Sequence, residues 1–427
     1  MPHYFDYAAT QPMRQSAIDA WVAAAGSLNS GAQYGSGRKA RSVLDDAREK
    51  VASLLGCEPI EVIFTSSGTE ADNIAIQGLY AAGQTNRIIS TDIEHPAVRD
   101  TVSKLEKTGA AVDILPVDRS GHIADLSALD TLADVATCMW ANNETGAIQP
   151  IEEIAARANA TGTPVHVDAV QAVGKVPINF SDLGIASLAA SAHKFGGPRG
   201  IGLLLAKRSP APQPIAYGGG QERGIRPGTV DVAGASGLAA ALEESVSEIT
   251  AQGERIAALR NKLRDGILAT IDDVVVNSAE PCLPSHLHVS FPGADGDSLI
   301  MLLDSLQIEA STGSACSAGV NRMSHVLEAM GVSEAEGIGS LRFTLGRLTS
   351  EEDVDYVLAH LPEVISRARS VYLSFLSFAA ARRAAIAWPT VSAQFLFLGA
   401  SGPWGSSYSQ RPSSKSHTMS PVCGSMM

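Results

Sequence analysis

Between Ala17 and about Leu205, stretches of helical length alternate with short apolar runs rich in Val and Ile. This alternation is the strongest constraint on what the chain can fold into. The runs Glu61 to Thr65, Arg87 to Thr91, Ala111 to Val117, Val135 to Ala141, Pro164 to Val170, Ser187 to Ser191 and Gly202 to Leu205 read as strands. They lack strict alternation, which is the pattern of strands covered on both faces. Separated mostly by helices, they predict an α/β chain with a large, mainly parallel seven-stranded sheet flanked by helices. Farther on, Ala233 to Ile271 carries apolar residues at helical spacing with Glu, Arg and Lys between them, and reads as a long helical connector. A smaller α+β domain should follow it. There Leu287 to Phe291 and Ser340 to Thr344 read as strands, with helices around Leu299 to Leu306, His325 to Met330 and Glu351 to Ser366. The boundaries expected are 16–250 for the large domain and 251–370 for the smaller one.

Charge and cysteine content narrow the class of function. The net charge of −13 argues against an electrostatic grip on nucleic acid or anionic lipid and favours a small-molecule enzyme. The five cysteines, Cys57, Cys138, Cys282, Cys316 and Cys423, form neither a disulfide framework nor a zinc-binding spacing, and no metal site is expected. Residues 1–12 have no basic segment followed by an apolar one, so a cytoplasmic protein is expected. After Glu363 no Asp or Glu occurs, and Ser, Gly and aromatic residues become frequent. The apolar part, Val371 to Ala400, is interrupted by Arg382, Arg383 and Pro389 and fits a spanning helix poorly. Residues 371–427 therefore read as an atypical tail, either disordered or outside the native reading frame.

The chemistry-bearing residues fall where the predicted strands end. In open α/β sheets ligands bind at the carboxyl ends of the strands. Asp168, in Pro164-Val-His-Val-Asp-Ala-Val-Gln171, and Lys194, in Ser191-Ala-His-Lys-Phe-Gly-Gly197, should face one crevice there. A carboxylate and a lysine at such a site suit pyridoxal phosphate, whose aldehyde needs a Schiff-base lysine and whose ring nitrogen needs an acid to keep it protonated. Alone, either residue is equally a cap, an ion-pair partner or a solvated side chain. Phe64-Thr-Ser-Ser-Gly-Thr-Glu-Ala-Asp-Asn73 offers a phosphate cradle where a strand gives way to a helix. The same Ser67-x-x-Glu70 pattern also reads as a simple capping box. Ser191 and His193 are further hydrogen-bond donors for a phosphate. His95, in Ile93-Glu-His-Pro-Ala-Val98, either stacks on a flat ring and moves protons or is a structural histidine. Asn142-Asn-Glu-Thr-Gly146 ends another strand, where an amide holds a ring substituent or fixes a turn. Cys316 lies among small residues, Ser311-Thr-Gly-Ser-Ala-Cys-Ser-Ala-Gly319, a setting for a thiol that moves between two partners.

Together these motifs resemble the cysteine desulfurase family, within the class V aminotransferase group of fold type I pyridoxal-phosphate enzymes. The resemblance spans about Tyr4 to Arg369. It includes Tyr4-Phe-Asp-Tyr-Ala-Ala-Thr10, Gly218-Gly-Gly-Gln-Glu-Arg-Gly-Ile-Arg-Pro-Gly-Thr229 and Ser340-Leu-Arg-Phe-Thr-Leu-Gly-Arg347. It implies that residues 1–15 join the smaller domain and that the larger one binds the cofactor. It further implies that Lys194 binds the cofactor aldehyde, Asp168 pairs with the ring nitrogen, His95 stacks on the ring, Gln171 contacts the ring oxygen, and Asn143 contacts the cofactor. Gly68, Thr69, Ser191 and His193 would hold the phosphate, with Thr229 reaching in from the other subunit of a homodimer. Arg342, helped by Asn29, would hold the substrate carboxylate.

The implied reaction converts L-cysteine to L-alanine. Lys194 takes the Cα proton, His95 handles the thiol proton or shuttles protons to product, and Cys316 attacks the substrate sulfur to become a persulfide. The sulfur then passes to an iron–sulfur scaffold or a sulfur-carrier protein, for iron–sulfur cluster assembly or tRNA thiolation. Three departures touch the substrate pocket: Asn29 is followed by Ser30-Gly-Ala-Gln-Tyr34 where a Pro after the Asn and a His near Tyr34 are frequent, and Tyr217 precedes the three glycines where a His is frequent. Selenocysteine cleavage, another class V reaction and a non-catalytic cofactor-binding scaffold are the competing readings.

Overall fold

The computed structural model describes residues 2–313 and 323–386. Residues Met1–Ser377 form one compact unit. The chain opens with β1 (His3–Tyr4), α1 (Gln15–Ala24) and α2 (Gly35–Leu55). It then alternates through β2 (Val62–Thr65), α3 (Gly68–Ala82), β3 (Arg87–Thr91), α4 (Pro96–Lys107), β4 (Ala111–Leu115), β5 (Val135–Met139), α5 (Ile151–Thr161) and β6 (Val165–Asp168). Two further strands, β7 (Ser187–Ser191) and β8 (Gly202–Ala206), complete this part.

All seven strands expected from the apolar runs form, and they join one sheet in the order β2-β8-β7-β6-β5-β3-β4. β8 runs antiparallel to both its neighbours, and the remaining pairings are parallel. Every residue of β5, β6, β7 and β8 is buried, which is why these runs carry no polar alternation. The edge strand β4 is more open, with Ile114 exposed. Because β2, β3, β5, β6 and β7 share a direction, the segments that follow them emerge at one end of the sheet.

The helical connector is α6 (Val232–Thr270), a single helix that serves two cores. Ala235, Leu238, Ala239 and Leu242 pack into the core of the large sheet, whereas Ile256, Leu263 and Ile267 belong to a second apolar cluster. That cluster is built from β9 (Val275–Val276), β10 (His286–Ser290), α7 (Gly296–Ser305), β11 (Ile308–Glu309), β12 (Ser340–Thr344) and the first part of α10 (Glu351–Ile386), with Phe291, Phe343 and Val357 at its centre. Between β11 and β12 come α8 (His325–Ala329) and α9 (Glu334–Gly337), and Val326 and Leu327 of α8 pack instead with Ile93 and Met139. β12, β10 and β9 form an antiparallel sheet. β1 pairs in parallel with β11, which ties the start of the chain to this second cluster. The helix expected over Glu351 to Ser366 continues to Ile386. The rest of the tail, 387–427, lies outside the described residues.

Candidate active site

Gly68, Thr69, His95, Asn143, Asp168, Gln171, Ser191, His193 and Lys194 all line one cavity of about 240 Å³ at the carboxyl end of the sheet. Topology brings them there. Asp168 and Ser191 are the last residues of β6 and β7, Lys194 sits in the turn directly after β7, and His95 caps α4 just after β3. Gly68 opens α3 immediately after β2.

Burial dominates the electrostatics. Lys194 donates from Nζ to the Ala8 carbonyl at 2.6 Å, and burial, reinforced by Arg342, lowers its pKa to about 8. Asp168 accepts the Val170 N–H at 2.9 Å, and burial raises its pKa despite the nearby His95 and Lys194. Two further buried acids crowd it. Burial and Asp168 push Glu94 up to about 8, and burial, Asp168 and Glu94 push Asp72 up as well. His166 lies 3.1 Å from Asp72 and 2.9 Å from Ser187, but burial drives its pKa down to about 3. With the acid raised and the imidazole lowered, that contact is a neutral hydrogen bond rather than an ion pair. His95 is also lowered, chiefly by burial, and its Nδ1 accepts the Ala97 N–H at 3.1 Å. The neutral ring therefore carries its proton on Nε2. His193 is pushed down to about 4 by burial and Lys194, with Nδ1 3.2 Å from Thr10 Oγ1.

The start of α3 shows both readings of its motif at once. Ser67 Oγ accepts the Glu70 N–H at 3.1 Å, so the cap exists. The Gly68 backbone nevertheless approaches the segment after β6 so closely that a Cβ there would lie 2.6 Å from Val170 Cγ2, with Ser191 Cβ at the end of β7 3.5 Å away. The free N–H groups and positive dipole end of the helix are left facing the cavity, a cradle for a phosphate. The same cavity is lined by Asp168, a buried carboxylate that a protonated ring nitrogen would compensate. It is also lined by Lys194, whose lowered pKa leaves part of its amine unprotonated near neutrality. The donor set and the cradle thus fit pyridoxal phosphate.

Arg342 stands beside this cavity, donating from Nη1 to the Asn143 carbonyl at 2.8 Å and from Nη2 to Asp6 Oδ1 at 2.6 Å, while its buried Nε has no partner among the described residues. Within one chain neither Asn29 nor Thr229 lines the cavity; both are exposed. Asn29 closes a local turn by accepting the Gly31 N–H at 2.8 Å. Cys316 lies outside the described residues. The residues on either side of that stretch converge on Glu144: Ser324 Oγ donates to Glu144 Oε2 at 2.5 Å, and a Cβ on Gly313 would lie 3.1 Å from the same oxygen. Burial raises the Glu144 pKa. Asp6, Ala8 and Glu144 carry no individual role in the sequence reading, although all three lie inside its quoted motifs. Their signal was position within a motif, and only the fold shows what each one touches. The described thiols offer no rival to Cys316: burial pushes Cys57 up to about 12 and also raises Cys138 and Cys282.

Over most of its length the chain is similar to known proteins. The family model described as aminotransferase class-V matches residues 3–357. An IscS-like cysteine desulfurase from Mycobacterium tuberculosis is 46% identical over 385 residues, covering 87% of this chain and 98% of that protein. A solved structure titled NifS-like protein superposes with a TM-score of 0.79 at 35% identity, covering 86% of this chain and 100% of the other. Another, titled SspA in complex with cysteine, gives a TM-score of 0.71 at 32% identity, covering 80% and 98%. A seven-stranded sheet whose strand ends gather a lysine, an acid and a helix N-terminus around one cavity, together with likeness over most of both chains, places this chain in the cysteine desulfurase family of pyridoxal-phosphate-dependent class V aminotransferases.

Proposed function

We propose that this chain is a pyridoxal-phosphate-dependent cysteine desulfurase. In this reading it converts L-cysteine to L-alanine, leaves the sulfur as a persulfide on Cys316, and supplies it to an iron–sulfur scaffold or sulfur-carrier protein. The convergence of Lys194, Asp168 and the α3 N-terminus on one cavity carries the reading. When bound, the cofactor supplies an aldehyde for amines and an electron-accepting ring for the pair left at Cα.

The chain's own residues do the rest. Lys194 holds the cofactor and, once released, takes the Cα proton; its pKa of about 8 keeps a usable fraction of free base near neutrality. Asp168 holds the ring-nitrogen proton, while Gln171 and Asn143 orient the ring. Gly68, Thr69, Ser191 and His193 hold the phosphate. Arg342, already fixed by Asn143 and Asp6, receives the substrate carboxylate in a forked contact. His95, with its proton on Nε2, is set to donate: the Ala97 N–H on Nδ1 favours proton delivery to product over removal of the thiol proton. The Cys316 thiolate attacks the substrate sulfur, an S–S bond forms and the Cβ–S bond breaks. L-cysteine plus the thiol thereby becomes L-alanine plus the persulfide.

A homodimer completes the site, with Thr229 reaching across to the partner. Its exposure supports this, as does the apolar surface of Trp21, Val22 and Leu28 on and just after α1. The two apolar cores support a large cofactor-binding domain over 16–250 and a small one from 1–15 and 251–370. A reducing, cytoplasmic setting agrees with the free Cys57, Cys138 and Cys282. No helix among the described residues is long and apolar enough to cross a membrane.

The test is an absorption spectrum of the purified protein, followed by L-cysteine addition under reducing conditions with alanine and sulfide quantified. A cofactor band with the two products in equal amounts is expected. A cofactor band without either product sinks the desulfurase reading.

A further inference from the structure

A second lysine lies close to the first and has no part in the reaction above. Lys175 does not line the main cavity; it lines a small cavity of about 60 Å³ together with Ala8 and Ser285. Its Nζ lies 2.7 Å from Gln171 Oε1, and Gln171 Nε2 lies 2.9 Å from the Ala8 carbonyl, which also receives Lys194 Nζ. These contacts leave the amide one orientation. A carbonyl has only acceptors, so the Gln171 NH2 must face Ala8, and its oxygen is left toward Lys175, which has N–H donors for it in either protonation state. Gln171 lines the main cavity, and its NH2 retains a second hydrogen.

A cation is an unfavourable choice at this position. Burial, then Lys194 and Arg342, lower the Lys175 pKa to about 7, and Lys175 in turn helps hold down the buried His286. An apolar side chain of similar length would fill the space without that desolvation cost. A methionine, however, has no hydrogen to hold the amide oxygen.

We propose that Lys175 is a positioning residue that locks the Gln171 amide with its NH2 toward the cofactor cavity, so that Gln171 meets an oxygen of the bound ring as a donor and never as a second oxygen. The proposal rests on the reading of this cavity as a pyridoxal-phosphate site. Without Lys175 the amide is held, among the described residues, only through Ala8, whose carbonyl it shares with Lys194.

The experiment is a double-mutant cycle on full-length protein, titrating the cofactor-free form with pyridoxal phosphate and recording both Kd and the absorption maximum of the bound ring. K175M should raise Kd about fivefold and move the absorption maximum, the scale of losing one oriented hydrogen bond. K175Q retains an amide donor for Gln171 and should restore part of the affinity. In a Q171L background K175M should change neither quantity further. Equal effects of K175M in the wild-type and Q171L backgrounds, or a K175M protein indistinguishable from wild type, overturn the role of Lys175 while leaving the cofactor site standing. Failure of the wild-type protein to bind pyridoxal phosphate overturns the underlying reading instead. Thermal unfolding of each cofactor-free variant shows whether it folds; if K175M does not, the comparison of K175Q with wild type in both backgrounds decides.

Discussion

At the scale of single residues, the site works by taking ionisable groups out of water and letting neighbours decide which form survives. Lys194 has to be neutral to capture the cofactor aldehyde, and its pKa is about 8. The rate of cofactor capture by the cofactor-free protein should therefore rise with pH and level off above that value, which stopped-flow absorbance measures directly. A rate independent of pH between 6 and 9 contradicts the assignment. Glu94 gives a stability prediction of definite sign. Its folded pKa is about 8 against an ordinary 4.5, so the folded state holds a proton that the unfolded chain releases across that window. Its favourable contribution is complete below 4.5 and is lost as the pH climbs through about 8. E94Q needs no proton, so its melting temperature should gain on the wild type as the pH is raised from 5 to 8. Gly68 is a matter of space: Gly68→Ala puts a methyl 2.6 Å from Val170 Cγ2 and should weaken cofactor binding about tenfold by displacing the cradle.

At the scale of elements, the strands were legible because each central run is buried on both faces and so is apolar throughout. Ser187 to Ser191 and Arg87 to Thr91 match their strands end to end, and the others differ by one or two residues at an end. The antiparallel direction of β8 was not legible, because an apolar run reads the same in either direction. The start of α3 separates two functions that share one motif. The Ser67 side chain caps the helix, while Ser67 and the two residues after it line the cavity. Ser67→Ala should therefore lower stability by about 1 kcal/mol, read as a fall in melting temperature, with the bound-cofactor spectrum unchanged. A spectral change of the size seen for Gly68→Ala would show that the side chain, and not only the cap, touches the ligand.

At the scale of the whole molecule, the proposed homodimer makes a prediction that one chain alone does not. If Thr229 serves the neighbouring site, a K194A chain and a T229A chain complement each other, because the mixed dimer holds one cavity with an intact lysine and an intact threonine. Random reassociation should restore about a quarter of the wild-type sites, measured as cofactor bound at limiting concentration. No gain over the separate variants would place Thr229 outside the partner's site. The second core is as necessary to the chain as the sheet that bears the lysine, since Arg342 is carried on β12 beside the central Phe343. Phe343→Ala should cost about 3–5 kcal/mol.

The sequence by itself determined the α/β class, the seven strands and nine of the fourteen residues that line the cavity. Burial on both faces writes a continuous apolar run, and the polar residues that end such runs stand out against it. It did not determine which of those residues touch. That Asp6 holds Arg342, that Glu144 receives Ser324, and that Lys175 turns the amide of Gln171 were decided by tertiary structure alone. The first two join residues far apart in the chain, and the third depends on how a turn packs. Hydrogen-bond geometry and desolvation exist only once those residues have been brought together in a dry interior.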